Sequence, residues 1–208
     1  MKFAHRCLVL VSLVLLSSCT TLLTPLITPK VNTDIETLRA GQYRLDHSHA
    51  ALIFKVQHLG LSTYVGRFNR IEANLDFEPE NLAETALSAE VDIASLDIND
   101  QDLSDDLMGH DWFNQKTYPK ATLVTESVSR IGDNKMKMIA SLKFRGVQKL
   151  IELEGTFHGG ATNILTGKYT LGFSAVGSFR RSDFGMSKFI PLVGDEVTIE
   201  AYGEFQKE

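Results

Sequence analysis

The chain has 208 residues, enough for one domain with a core of its own. A hydrophobic content of 43% and a charged content of 23% are ordinary for a globular protein, and a mean hydropathy of −0.05 excludes a polytopic membrane protein. A formal net charge of −5 argues against nucleic acid as a partner.

The first residues read as an export signal. Lys2 and Arg6 form a positive start, and Cys7 to Leu16 is an apolar run too short to span a bilayer. The run ends in Leu16-Ser17-Ser18-Cys19, which resembles a bacterial lipoprotein signal, cut before a cysteine that is then acylated. The alternative is a plain secretory signal with an incidental cysteine. Counting favours acylation: Cys7 would leave with residues 1–18, so Cys19 would remain as a lone thiol with no internal partner. The mature chain would carry 19 basic and 26 acidic residues, a net charge of −7. Residues 19–41, with Pro25 and Pro29, read as a lipidated N-terminus and tether, with only a weak helical signal around Thr33–Ala40. Such an anchor implies a bacterial envelope protein facing the periplasm, and Thr20 after the cysteine implies outer-membrane sorting if the cell is Gram-negative.

Residues 42–208 alternate. Leu52, Phe54, Val56 and His58 share one parity, and Ile71, Ala73, Leu75 and Phe77 share another, with a turn at Leu59–Ser62. The stretch from Asp46 to Phe77 therefore predicts two long antiparallel strands. Phe68 disagrees in parity with Ile71 unless a bulge intervenes at Asn69-Arg70. A third strand carries Leu87, Ala89, Val91 and Ile93. Asn99 to Asn114 breaks the alternation, and Leu103, Leu107 and His110 or Asp111 fall at helical spacing, closing near Trp112-Phe113.

Ala121 to Ile131 is a strand whose apolar residues favour neither parity. Met136 to Phe144 alternates cleanly, Arg145-Gly146 turns the chain, and Ile151 to Phe157 follows, with a loop at Gly159-Gly160. Tyr169 to Phe179 and Val197 to Phe205 complete the set. Eight strands with one short helix between strands 3 and 4 predict an all-β fold, an eight-stranded antiparallel up-and-down barrel, with a two-sheet sandwich as the alternative. Small residues on the inward parity, among them Ala73, Ala89, Ala140, Ala175, Gly177 and Ala201, predict an apolar cavity in place of a solid interior.

Separated motifs then carry a resemblance. They are Asp46, His49, Phe54, Val56 and His58-Leu59-Gly60 with Gly66-Arg67-Phe68; Ile93-Ala94-Ser95-Leu96 with Leu107, Asp111-Trp112-Phe113 and Tyr118-Pro119; Leu142 to Val147; and Arg181-Ser182-Asp183-Phe184-Gly185-Met186. In this order they resemble the YceI-like lipid/polyisoprenoid-binding proteins over about residues 42–205. Ala50 stands where that family usually has serine, and Trp112 where it usually has phenylalanine. The resemblance implies a lipocalin-like barrel that takes a long apolar chain lengthwise, in an exported and often dimeric protein. The ligands it implies are a polyisoprenoid, an isoprenoid quinone or a fatty-acid amide.

The expected tail contacts are Phe54, Val56, Phe68, Leu75, Val91, Leu107, Phe113, Phe144 and Phe173, with Trp112 enlarging the ring at its position. His58 is expected to hydrogen-bond a ligand headgroup, an aspartate or an arginine. Arg181 continues the inward parity of Phe173 to Phe179 and needs a partner. It is read either as a latch that closes the barrel, with Asp183, Asp46 or Asp111 as candidates, or as a donor to a headgroup.

No metal site is expected: His47 and His49 share an i,i+2 spacing, but no third ligand is evident nearby, and they read as polar residues at the barrel mouth. The acidic run Asp97 to Asp106 lacks the glycine and glutamate of a calcium loop and reads as a solvated helix start. No G-x-S-x-G supports a hydrolase, so no catalytic residue is assigned. A quinone-presenting accessory to envelope electron transfer is the second reading.

Overall fold

The computed structural model describes residues 28–208. Cys19, the signal and the first part of the tether lie outside the described residues. The described residues form ten strands: β1 (Gly41–His58), β2 (Ser62–Phe68), β3 (Ile71–Phe77), β4 (Ala86–Asp92), β5 (Leu96–Asp97), β6 (Lys120–Arg130), β7 (Lys135–Phe144), β8 (Val147–Thr162), β9 (Tyr169–Arg180) and β10 (Val193–Lys207). Among the described residues a single α-helix, α1 (Gln101–Leu107), lies between β5 and β6. All pairings are antiparallel, and β10 returns to pair with β1, so the sheet closes. Closure satisfies both edges of the sheet and excludes the sandwich.

Ten strands make eight staves because two staves are interrupted. β1 is long enough to pair with β3 through Gly41–Arg44 and with β2 through Leu52–His58. The chain after the β1–β2 turn therefore yields two strands, not the single long one expected, and the break falls at Asn69-Arg70. There the Asn69 N–H donates to the Ser95 carbonyl at 3.0 Å and the Arg70 N–H to Ser95 Oγ at 2.9 Å. This break reconciles Phe68 with Ile71. The third stave is divided in the same way, with a 3-10 turn at Ile93–Ser95 between β4 and β5.

Two bulges re-aim side chains. Asp46 to His49 stand opposite Glu204 alone, so the inward parity passes from Tyr43 and Leu45 to Ala50, Leu52, Phe54 and Val56. In β6 the register shifts between Thr125 and Ser127, so Leu123 and Val128 both face inward. That shift is why this strand showed no single parity in sequence. Gly159-Gly160 is not a loop: β8 runs on to Thr162, with a bulge after Phe157. The helix is shorter than its sequence pattern implied. It is capped by Asp100, whose carboxylate accepts from the Leu103 N–H at 3.0 Å, and it ends before Gly109. His110 and Asp111 lie in the turns that follow and are exposed.

The two ends of the barrel differ. One end carries the β3–β4, β6–β7 and β8–β9 connections, and it is closed by the segment before β1. A 3-10 turn, Ile35–Thr37, buries Ile35 and Leu38, and Asn32 bridges to Gly160. The stretch read as tether is thus folded onto the barrel from Asn32 onward. The other end carries the β1–β2 and β7–β8 turns, α1, and the segment 181–192. The β7–β8 turn needs positive φ at both Arg145 (48°) and Gly146 (75°), as a two-residue hairpin requires.

Candidate functional site

The barrel encloses a cavity of about 610 Å³, within the range of ligand pockets. Two aromatic clusters bracket it. Toward the open end the ring centres of Phe54, Phe68, Phe113 and Phe144 follow one another at 5.8, 5.6 and 5.9 Å, and Phe184 lies 5.6 Å beyond Phe144. Toward the closed end Phe173 meets Phe77 at 6.0 Å, Phe157 at 5.2 Å and Phe205 at 6.0 Å. Between the clusters the wall is lined by small and aliphatic side chains, including Ala73, Ala89, Leu123, Met138, Ala175, Ile199 and Ala201. Ala140 is fully buried without lining the space. At Gly177 a Cβ would fall 2.3 Å from Leu153 Cδ2, so that glycine makes room for a neighbour, not for a guest.

The expected tail contacts, with Trp112, His58 and Arg181, all line this space. Phe54, Val56 and His58 do so from β1, Phe68 from β2, Leu75 from β3, and Val91 from β4. Leu107 ends α1, and Trp112 and Phe113 follow it. Phe144 and Phe173 come from β7 and β9, and Arg181 from the turn after β9. Sequence reasoning missed Tyr64, Leu103, Asp106, Phe189 and Val193, which line the cavity near the open end. Only the apolar pair Phe189-Ile190 before Pro191 hinted at this rim.

Arg181 is 2% exposed, and its guanidinium makes four hydrogen bonds to backbone carbonyls. Nε donates to the Gly194 carbonyl at 2.8 Å, Nη1 to Met186 at 2.9 Å, and Nη2 to Lys188 and Val193, each at 2.9 Å. All four acceptors lie in residues 186–194, so the side chain is the form around which the loop before β10 is wound. None of the expected carboxylates touches it. Asp195 instead accepts from the Ser182 N–H at 2.9 Å and its hydroxyl at 2.8 Å. Burial pulls the Arg181 pKa below the ordinary arginine value, against the pull of Asp195. The geometry is that of a latch whose flat face also borders the cavity beside Trp112.

His47 and His49 are not at the mouth. They sit in the β1 bulge and diverge: His47 Nδ1 lies 2.9 Å from the Ile71 carbonyl, whereas His49 turns toward β10. Asp46, His49 and Glu204 bring ligand atoms within 4.8 Å of one another. The Asp46 carboxylate nevertheless already accepts from the Ser48 N–H (3.0 Å), Ser48 Oγ (2.6 Å), His49 Nδ1 (2.9 Å) and Gln206 Nε2 (2.6 Å). The bonds from Ser48 and His49, that of Ser48 first, hold the Asp46 pKa down at about 2, and the bond to Asp46 raises that of His49. The arrangement is a polar staple across the bulge.

The fold and the cavity define a class: a small closed antiparallel barrel with an apolar interior that opens at one end. The YceI-like domain model matches residues 43–205, and the chain belongs to that family. A UPF0312 protein of Photorhabdus laumondii is 32% identical over 147 residues, covering 70% of this chain and 76% of that protein. One from Vibrio parahaemolyticus is 30% identical over 164 residues, covering 78% and 84%. Among solved structures, Burkholderia cenocepacia BcnA superposes with a TM-score of 0.70 at 26% identity, covering 77% of this chain and 98% of BcnA. A polyisoprenoid binding domain from Saccharophagus degradans shares the fold with a TM-score of 0.62 at 15% identity, covering 82% of this chain and all of that domain.

Proposed function

We propose that this protein binds a long-chain isoprenoid or related lipid in its barrel and carries or stores it in the bacterial envelope, without catalysis. The observation that carries the reading is the enclosed space of about 610 Å³ between two aromatic clusters. Its wall offers a tail contact everywhere and a polar group only in a few places. Each buried CH₂ contributes about 0.8 kcal/mol, so sixteen carbons give roughly 13 kcal/mol before the cost of ordering the chain. Family membership and the shared fold of a polyisoprenoid binding domain support the ligand class. Acylation at Cys19 would tether the barrel to the membrane, on the periplasmic face of the outer membrane by the residue that follows the cysteine.

The test is to extract the purified protein with organic solvent and take a mass spectrum. A polyprenol or similar lipid at near one per chain is expected. A bound quinone would move the reading to a quinone-presenting accessory, and an empty extract from protein made in its native envelope would refute it. The same spectrum, taken on the N-terminal peptide, reads the acyl mass on Cys19.

A further inference from the structure

Large apolar side chains stand in water at the open end of the barrel. Leu59 and Leu61 on the β1–β2 turn are 50% and 86% exposed, and Phe189, Ile190 and Leu192, before β10, are 56%, 36% and 58% exposed. The two segments form one patch, because the Leu59 N–H donates to the Leu192 carbonyl at 2.7 Å and His58 pairs with Val193. The patch continues into the cavity. Phe189 both stands exposed and lines the interior, with its ring centre 6.1 Å from that of Trp112. An exposed apolar patch on a small barrel marks a contact surface, and here it borders the mouth of a lipid-sized space.

The geometry points to a docking collar: the open end seats on a zwitterionic lipid bilayer, and the apolar guest passes between bilayer and cavity without crossing water. This rests on the reading of the cavity as a lipid site. A long chain crossing water would expose its methylenes at about 0.8 kcal/mol each, and a collar pressed into the interface removes that barrier. The charge around the mouth selects the surface. Asp100, Asp102, Asp105 and Asp106 lie on or cap α1 at this end, and Asp106 borders the cavity itself. Nearby Lys188 is drawn to Asp111, Nζ to Oδ2 at 3.4 Å. Anionic lipid would be repelled and a neutral headgroup layer would not.

Trp112 is the sole tryptophan in the sequence and lies behind Phe189, which makes it a probe of the mouth. The full chain is mixed with phosphatidylcholine vesicles whose lipids are brominated at shallow acyl carbons. Because an acylated Cys19 would hold the chain on vesicles by itself, the readout is quenching of Trp112, not binding. Quenching is expected, and Leu61→Asp with Leu192→Asp, neither of which lines the cavity, is expected to reduce it at least about fivefold with an unchanged thermal transition. Ala201→Phe, which narrows the cavity, keeps the quenching if the collar docks and loses it if brominated lipid reaches Trp112 only as a guest, which overturns the proposal. Equal quenching in the Asp variant, quenching only with phosphatidylglycerol, or a dimer dissolved by the same two substitutions without a vesicle effect also overturns it. If quenching behaves as expected and the solvent extract is empty, the lipid reading of the cavity fails and the docking surface stands.

Discussion

The guanidinium carbon of Arg181 lies 5.4 Å from the centre of the Trp112 ring. This contact joins the loop wound around Arg181 to the segment that follows α1, two elements separated by some seventy positions in the chain. A buried cation with backbone acceptors on one side and an aromatic face on the other stabilises the open end while leaving the mouth itself uncovered.

Arg181→Met is expected to cost about 3–5 kcal/mol, because it strands carbonyls of residues 186–194 without a donor. Urea titration followed by Trp112 emission measures it. The class of lipid in a solvent extract should not change. A stable variant with a different lipid would instead make Arg181 a headgroup donor.

Ala201 pairs with Leu52 on one side and with Ala175 on the other, and it faces the cavity. Ala201→Phe should fill space that a guest would use. Bound lipid per chain is expected to drop about tenfold or more, while the melting temperature of the lipid-free protein is unchanged or raised, since added apolar contact replaces void. Unaltered lipid content would show that the guest does not use this part of the barrel.

Tyr43 is 1% exposed, and its hydroxyl donates to the Arg39 carbonyl. Burial, aided by Tyr169, pushes its pKa from 10.0 to about 12. The folded pKa lies above the unfolded one, so this contribution is fully present below pH 10, declines as pH rises from there, and is lost above about pH 12. A shift of this size corresponds to about 2–3 kcal/mol. Tyr43→Phe should be less stable near neutral pH and should show a shallower fall in stability over that alkaline window, which denaturant midpoints at several pH values will read.

Gly159 holds φ at +133°, and a Cβ there would fall 2.1 Å from Val31 Cγ1. Gly159→Ala should therefore loosen the segment that closes the barrel, at a cost of about 1–3 kcal/mol. Hydrogen exchange should quicken at Asn32 and Gly160, whose backbones bond each other at 2.9 and 2.8 Å, and should stay slow at the centre of β9.

The sequence by itself determined the number of staves, the place of the helix and the apolar character of the interior. Parity is a local property: Met136 to Phe144 and Tyr169 to Phe179 each declare a dry face without reference to any partner. The residues that face the cavity were legible for the same reason. What local pattern cannot carry is the offset between strands. Only the tertiary structure decided that Asp46 to His49 stand against one residue of β10, that β6 changes face midway, and that β1 serves two partners in succession. It also decided that Arg181 bonds carbonyls in place of a carboxylate, and that one end of the barrel is sealed by Ile35 and Leu38 while the other carries Phe189 at an apolar rim. Those outcomes depend on which distant backbones meet when the sheet closes, and closure is set by the register of all the strands together.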